Sequence, residues 1–152
     1  MSLENLYKFD KIKKHQTSPE EVRDLFRIAK RCLNDASETR ISLDLRFISA
    51  YQAALSAGEA LLYCLGYKAP RNSYHYMTWE ALRNIPDDNI KSNIPIFDRA
   101  RQKRGDAFYE HVEIINESEF KEFFKDVKEF VLYIKDKLNK EHSALAEKIN
   151  YP

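Results

Sequence analysis

The stretch from Phe97 to His111 reads Phe-Asp-Arg-Ala-Arg-Gln-Lys-Arg-Gly-Asp-Ala-Phe-Tyr-Glu-His, and it is the most informative part of the chain. Six residues separate Arg104 from His111. On a helix that continues through Tyr109, His111 lies about two turns beyond Arg104, on roughly the same side. An arginine that holds a phosphate and a histidine that moves a proton suffice for RNA cleavage without a metal. The 2′-hydroxyl attacks the adjacent phosphodiester, the imidazole handles the proton, and the guanidinium stabilises the charged transition state. The same pair has a structural reading. Arg104 then pairs with Asp106 or another carboxylate, and His111 stands at a helix end, where the dipole favours imidazolium.

The helix that must carry these groups has a conflict in its pattern. Phe97, Ala100, Arg101, Arg104 and Phe108 fall at i, i+3, i+4, i+7 and i+11, on one face that should point inward. Two arginines thus share the stripe that ought to be apolar. A buried guanidinium is costly unless paired or facing an anion. Either Asp98, Asp106 or another carboxylate satisfies them, or the face lines a polar cleft. Arg99 and Lys103 fit a solvated face; with Arg101 and Arg104 they make a basic cluster able to contact a phosphate backbone. Tyr74, His75, Tyr76 and Trp79 form a second cluster. Such rings either stack on bases of single-stranded RNA or cap a helical core.

The rest of the chain supplies the scaffold. At 152 residues it is one domain, with 43% hydrophobic and 32% charged residues. Three glycines and five prolines leave few turns, which favours an all-α fold. A net charge of +1 gives no global argument for nucleic acid or membrane, so any anion site is a local patch. Ser18-Pro19-Glu20-Glu21 is a helix start, and Val22, Leu25, Phe26, Ala29, Cys32 and Leu33 continue it with helical period to about Asn34. A second helix runs from near Phe47 to Gly66, a natural C′ residue; its small residues, Ala50 to Ala60, let a neighbour approach closely and mark it as the central helix. Tyr74 to Leu82 reads as a short aromatic helix, broken at Pro86-Asp87-Asp88. A long helix then begins near Ile90 or Pro95, and the last has the face Phe120, Phe123, Phe124, Val127, Phe130, Val131, Ile134 and Leu138. The expected architecture is an up-and-down four-helix bundle with one additional short helix, spanning residues 18–140. Residues 1–17 form a polar N-terminal arm, flexible or docked, and residues 141–152 a charged C-terminal tail.

Cys32 and Cys64 read as buried free thiols, with no metal-ligand spacing. The four histidines are scattered, and no phosphate-binding glycine loop or Gly-x-Ser-x-Gly motif occurs. No metal and no cofactor are expected. The polar N-terminus has no signal-peptide core, and no apolar run reaches the ~18 residues of a membrane span. The expectation is a cytoplasmic protein with no membrane contact.

Ala50-Tyr51-Gln52-Ala53-Ala54-Leu55-Ser56-Ala57-Gly58-Glu59-Ala60-Leu61-Leu62 with Gly66-Tyr67 resembles the second helix of HEPN domains (higher eukaryotes and prokaryotes nucleotide-binding). Residues 97–109 and the closing amphipathic helix resemble later parts of the same family, so the likeness covers about Ser18 to Leu138. It implies a four- to five-helix bundle that usually dimerises. It also implies, for many members, a metal-independent endoribonuclease with an Arg-x4-6-His motif in a cleft at the dimer interface. Arg104 and His111 match that spacing at its upper limit, with Gly105 where active members usually have a polar residue. In this reading Arg104 holds the scissile phosphate, His111 transfers the proton, Arg101 supports phosphate binding and Asp106 orients an arginine, while Tyr74 and His75 stack on the RNA. The segment also resembles HEPN groups with an Arg-x2-Arg-x-Asp-x2-Tyr pattern, here Arg101, Arg104, Asp106 and Tyr109, which need no histidine. The alternative function is then a non-catalytic dimeric interaction or nucleotide-binding module, for example the partner of a nucleotidyltransferase acting as antitoxin in a toxin–antitoxin system.

Overall fold

The computed structural model describes residues 1–109 and 114–147, and the side chains of all of these except 106–109. The chain is mostly helical. Seven α-helices occur among the described residues: α1 (Leu3–Lys8), α2 (Pro19–Ala36), α3 (Leu43–Cys64), α4 (Tyr74–Arg83), α5 (Asp88–Tyr109), α6 (Glu117–Glu141) and α7 (Ser143–Ala146). Two short strands, β1 (Lys13–Lys14) and β2 (Tyr67–Lys68), pair antiparallel. No helix among the described residues is long and apolar enough to cross a membrane.

The helices begin where the sequence supplies caps. Ser18 accepts from the Glu21 backbone N–H at the start of α2, with Pro19 as its first residue. Asn116 and Glu119 close a reciprocal capping box at the start of α6. Asp87 does more than break the chain. Its carboxylate caps α5 through the Ile90 N–H and also takes a hydrogen bond from Tyr133 Oη at 2.7 Å and an ion pair from Lys137 Nζ at 2.9 Å, both on α6. The helix it caps starts at Asp88, so Pro95 lies inside α5 and forgoes one backbone hydrogen bond there.

α3 lies at the centre, in contact with α2, α4, α5 and α6. Twelve of its residues are buried, most of them Ala, Leu or Gly. Gly58 is where α4 comes closest: a Cβ built on it would sit 2.9 Å from Leu82 Cδ1 and 3.2 Å from Trp79 Cζ3. Gly66 ends the helix with φ +95, in the region that favours glycine.

Residues 1–17 lie on this scaffold. Leu6 and Ile12 are buried, and β1 sets Lys14 opposite Tyr67 and Lys13 opposite Lys68. Tyr67 Oη donates to Glu4 at 2.7 Å, and His15 Nε2 lies 2.6 Å from Glu21 Oε1. At the other end, α7 folds back onto α2 and buries Ala146.

Candidate functional site

The close approach at Gly58 sets α4 across α3 and fixes a polar chain between them. Trp79 is buried, and its indole N–H donates to Tyr51 Oη at 3.1 Å. The same oxygen lies 3.0 Å from His75 Nδ1. The hydroxyl thus takes the Trp79 N–H and shares a second hydrogen bond with the imidazole. The Tyr51 and His75 rings lie nearly parallel at 5.7 Å, and Tyr74 meets His75 edge-on at 4.4 Å. Three aromatic side chains from two helices thus form one platform.

α5 brings the arginines to its edge. Phe97 and Ala100 enter the core, and Phe97 packs on Trp79 at 5.2 Å. Arg101 and Arg104 lie at the margin of that stripe, half-buried. Arg101 Nε donates to Asp98 Oδ1 at 2.9 Å, with the two side chains 28% and 21% exposed. Its guanidinium sits 5.3 Å from the ring centre of Tyr76, which is 46% exposed. The conflict in the sequence stripe is met at Arg101 by the Asp98 carboxylate, and both arginines stay partly open to water.

The electrostatics show where the two cations act. His75 is pushed down to about 4, first by burial and then by the positive charges of Arg104 and Arg101. Burial raises Tyr51 to about 12 against the opposing pull of the same two arginines. Tyr74 is raised by burial and by Glu59, with Arg104 opposing. A histidine this acidic is neutral at pH 7, so His75 offers a fixed N–H donor rather than a proton shuttle.

Of the residues singled out from the sequence, Arg101, Arg104, Tyr74 and His75 come together here, joining two clusters that lie apart along the chain. His111 lies outside the described residues, as do the side chains of Asp106 and Tyr109, whose backbone belongs to α5. Tyr51 was missed. It sits on the core stripe of α3, and nothing local separates it from a packing tyrosine. Glu59 was missed as well, although a lone carboxylate inside Gly-Glu-Ala-Leu-Leu is a visible anomaly.

Glu59 is partly buried in a cleft of about 580 Å3 on the other side of Tyr74. Tyr63 and Tyr74 also line it, and Lys13, Lys68 and Arg71 stand around it. Tyr63 Oη donates to the Glu59 carboxyl over a long 3.5 Å. Burial pushes the carboxyl up to about 7. Among the described residues no three His, Cys, Asp or Glu side chains group as a metal site. Comparison with known proteins adds no relative. No family model, curated protein or solved structure matches the chain.

Proposed function

We propose that this chain is an RNA-binding protein of HEPN type, an up-and-down bundle of α2, α3, α5 and α6 with α4 as its short additional helix. The observation that supports it best is the convergence of Arg101 and Arg104 on the Tyr51–Tyr74–His75 platform, felt by His75 as a lowered pKa. Two cations beside exposed and half-buried rings suit a single strand, whose phosphates take the guanidiniums while a base stacks on Tyr74, His75 or Tyr76. The neutral His75 ring adds one N–H donor and one acceptor. In the catalytic form of this reading a homodimer cleaves RNA without metal, Arg104 holding the scissile phosphate and His111 transferring the proton. The test is RNA binding and cleavage by wild type, Arg104→Ala and His111→Ala. The reading expects weaker binding in the first variant, and lost cleavage with retained binding in the second. Equal binding in all three sinks the phosphate role of Arg104, and equal cleavage sinks catalysis.

A second reading is favoured by the Arg101–Asp98 pair. There the arginines serve packing, and the protein is a non-catalytic interaction module, dimeric or joined to a partner such as a nucleotidyltransferase. Thermal melts separate the two. Removing one member of a structural, desolvated pair costs about 3–5 kcal/mol, whereas a phosphate-binding arginine in an open cleft costs little.

A further inference from the structure

The cleft around Glu59 has its own chemistry, apart from Arg101 and Arg104. Its cations are placed against their own interest. β-pairing sets Lys13 directly opposite Lys68, and like charges directly opposite across a ladder are unfavourable. Both line the cleft, with Arg71 beside them. Among the described residues none of these three is in an ion pair. An anion at the mouth would relieve that repulsion. Tyr63 and Tyr74, both partly buried, supply aromatic surface to the same cleft. Glu59 offers two acceptor oxygens, and among the described residues its side-chain hydrogen bond is the long one from Tyr63 Oη.

A ligand that meets all three demands is planar, carries an anionic group, and presents adjacent N–H donors to a carboxylate. We infer that the cleft binds a guanine nucleotide, with the base edge on Glu59, the ring against Tyr63 and Tyr74, and the phosphate at Lys13, Lys68 and Arg71. Guanine alone among the common RNA bases offers two neighbouring donors, N1–H and the 2-amino group, to the two oxygens of one carboxylate. Adenine places an acceptor beside its amino group, as does cytosine, and uracil has a single N–H between two carbonyls. The volume of about 580 Å3 falls within the range of small-molecule sites. The ring-donor contact also favours the ionised carboxylate, which opposes the effect of burial on Glu59. A free mononucleotide and a strand both present such a base; Tyr74, shared with the His75 platform, makes the two clefts adjoining.

Calorimetric titration of the whole protein with GMP, AMP, CMP, UMP and inorganic phosphate tests this. GMP is expected to bind about tenfold or more tighter than the other three, by the usual worth of a two-point base contact. Glu59→Gln replaces one acceptor by a donor without changing shape; it should bring GMP to the level of the others and leave AMP, CMP and UMP unchanged. Lys68→Ala should weaken all four alike. A short single-stranded RNA containing one guanine, set against the same strand without it, separates the sources: Glu59-dependent preference in the strand alone assigns the base to RNA, and preference in GMP assigns it to a free nucleotide. Absence of guanine preference in both, or a preference unchanged in Glu59→Gln, overturns the inference. Neither result touches the Arg101 and Arg104 reading, whose own test uses Arg104→Ala.

Discussion

Tyr74 borders two polar regions: at His75, burial and then two arginines push the ring down to about 4, whereas at Glu59 burial pushes the carboxyl up to about 7. Desolvation is the first cause in both and favours the neutral form in both. The difference lies in what stands nearby. Arg104 and Arg101 add to the effect on His75, so that face is left with two cations and a neutral ring. The cations at the Glu59 cleft are Lys13, Lys68 and Arg71, and none of them is among the causes of its shift; only the Tyr63 hydrogen bond opposes burial there. The comparison shows that a site's charge is set by where its cations are anchored. α5 brings the charges of Arg101 and Arg104 to bear on His75, while β1, β2 and the turn after them supply the cations that line the Glu59 cleft.

The largest change expected to break this comparison is Trp79→Ala. Trp79 fills the space beside Gly58, touches Phe97 and Phe130, and donates to Tyr51, so both faces rest on it. Truncating a buried tryptophan costs about 3–5 kcal/mol, which urea unfolding would register as a lower midpoint. Tyr51→Phe is milder and more selective. It leaves the Trp79 N–H and His75 Nδ1 without their shared oxygen, at a cost of about 1–3 kcal/mol, and leaves the Glu59 cleft intact.

Charge changes sharpen the contrast further. In Arg101→Ala/Arg104→Ala the His75 titration followed by NMR should rise from about 4 toward the ordinary histidine value, since two of its three causes are gone. Burial remains, so it should stop short of 6.5. A titration that does not move would show that the arginine field does not reach the ring.

The two groups also give opposite pH dependence. A histidine lowered in the folded state contributes stability fully present above 6.5 and lost as pH falls toward about 4. A carboxyl raised in the folded state contributes stability present below 4.5 and lost as pH rises through about 7. Glu59→Gln should therefore melt higher than wild type at pH 8, and the advantage should vanish below pH 4.5, where both forms are neutral. An equal gain at both ends of the range would mean that packing, not charge, sets the difference.

Much of the scaffold was legible because its signals are local. Ser18-Pro19, the small residues of α3, Gly66 and the regular phenylalanines of α6 each state a cap, a close approach, a stop or a face within a few residues. Residues 1–17 were not legible to the same degree. Lys13–Lys14 is a polar pair whose strand character exists only against Tyr67–Lys68, more than fifty residues away. Of the two starts offered for α5, near Ile90 or Pro95, the earlier is close: the Asp87 cap opens the helix at Asp88, and Pro95 lies inside it. In the candidate site, residue types drew attention to Arg101 and Arg104, which break an apolar stripe, and to the aromatics of α4. Their assembly was not readable, since Tyr51, His75 and Arg104 come from three helices and meet only through tertiary packing.

The most direct test of the central claim is the salt dependence of binding to a short single-stranded RNA, for wild type, the Arg101→Ala/Arg104→Ala variant and Arg99→Ala, an exposed arginine on the same helix. If Arg101 and Arg104 hold phosphates, the double variant binds more weakly and its log–log salt slope falls by about 0.7 for each arginine removed, while Arg99→Ala changes little. Unchanged affinity and slope in the double variant would contradict the account and leave the arginines to packing.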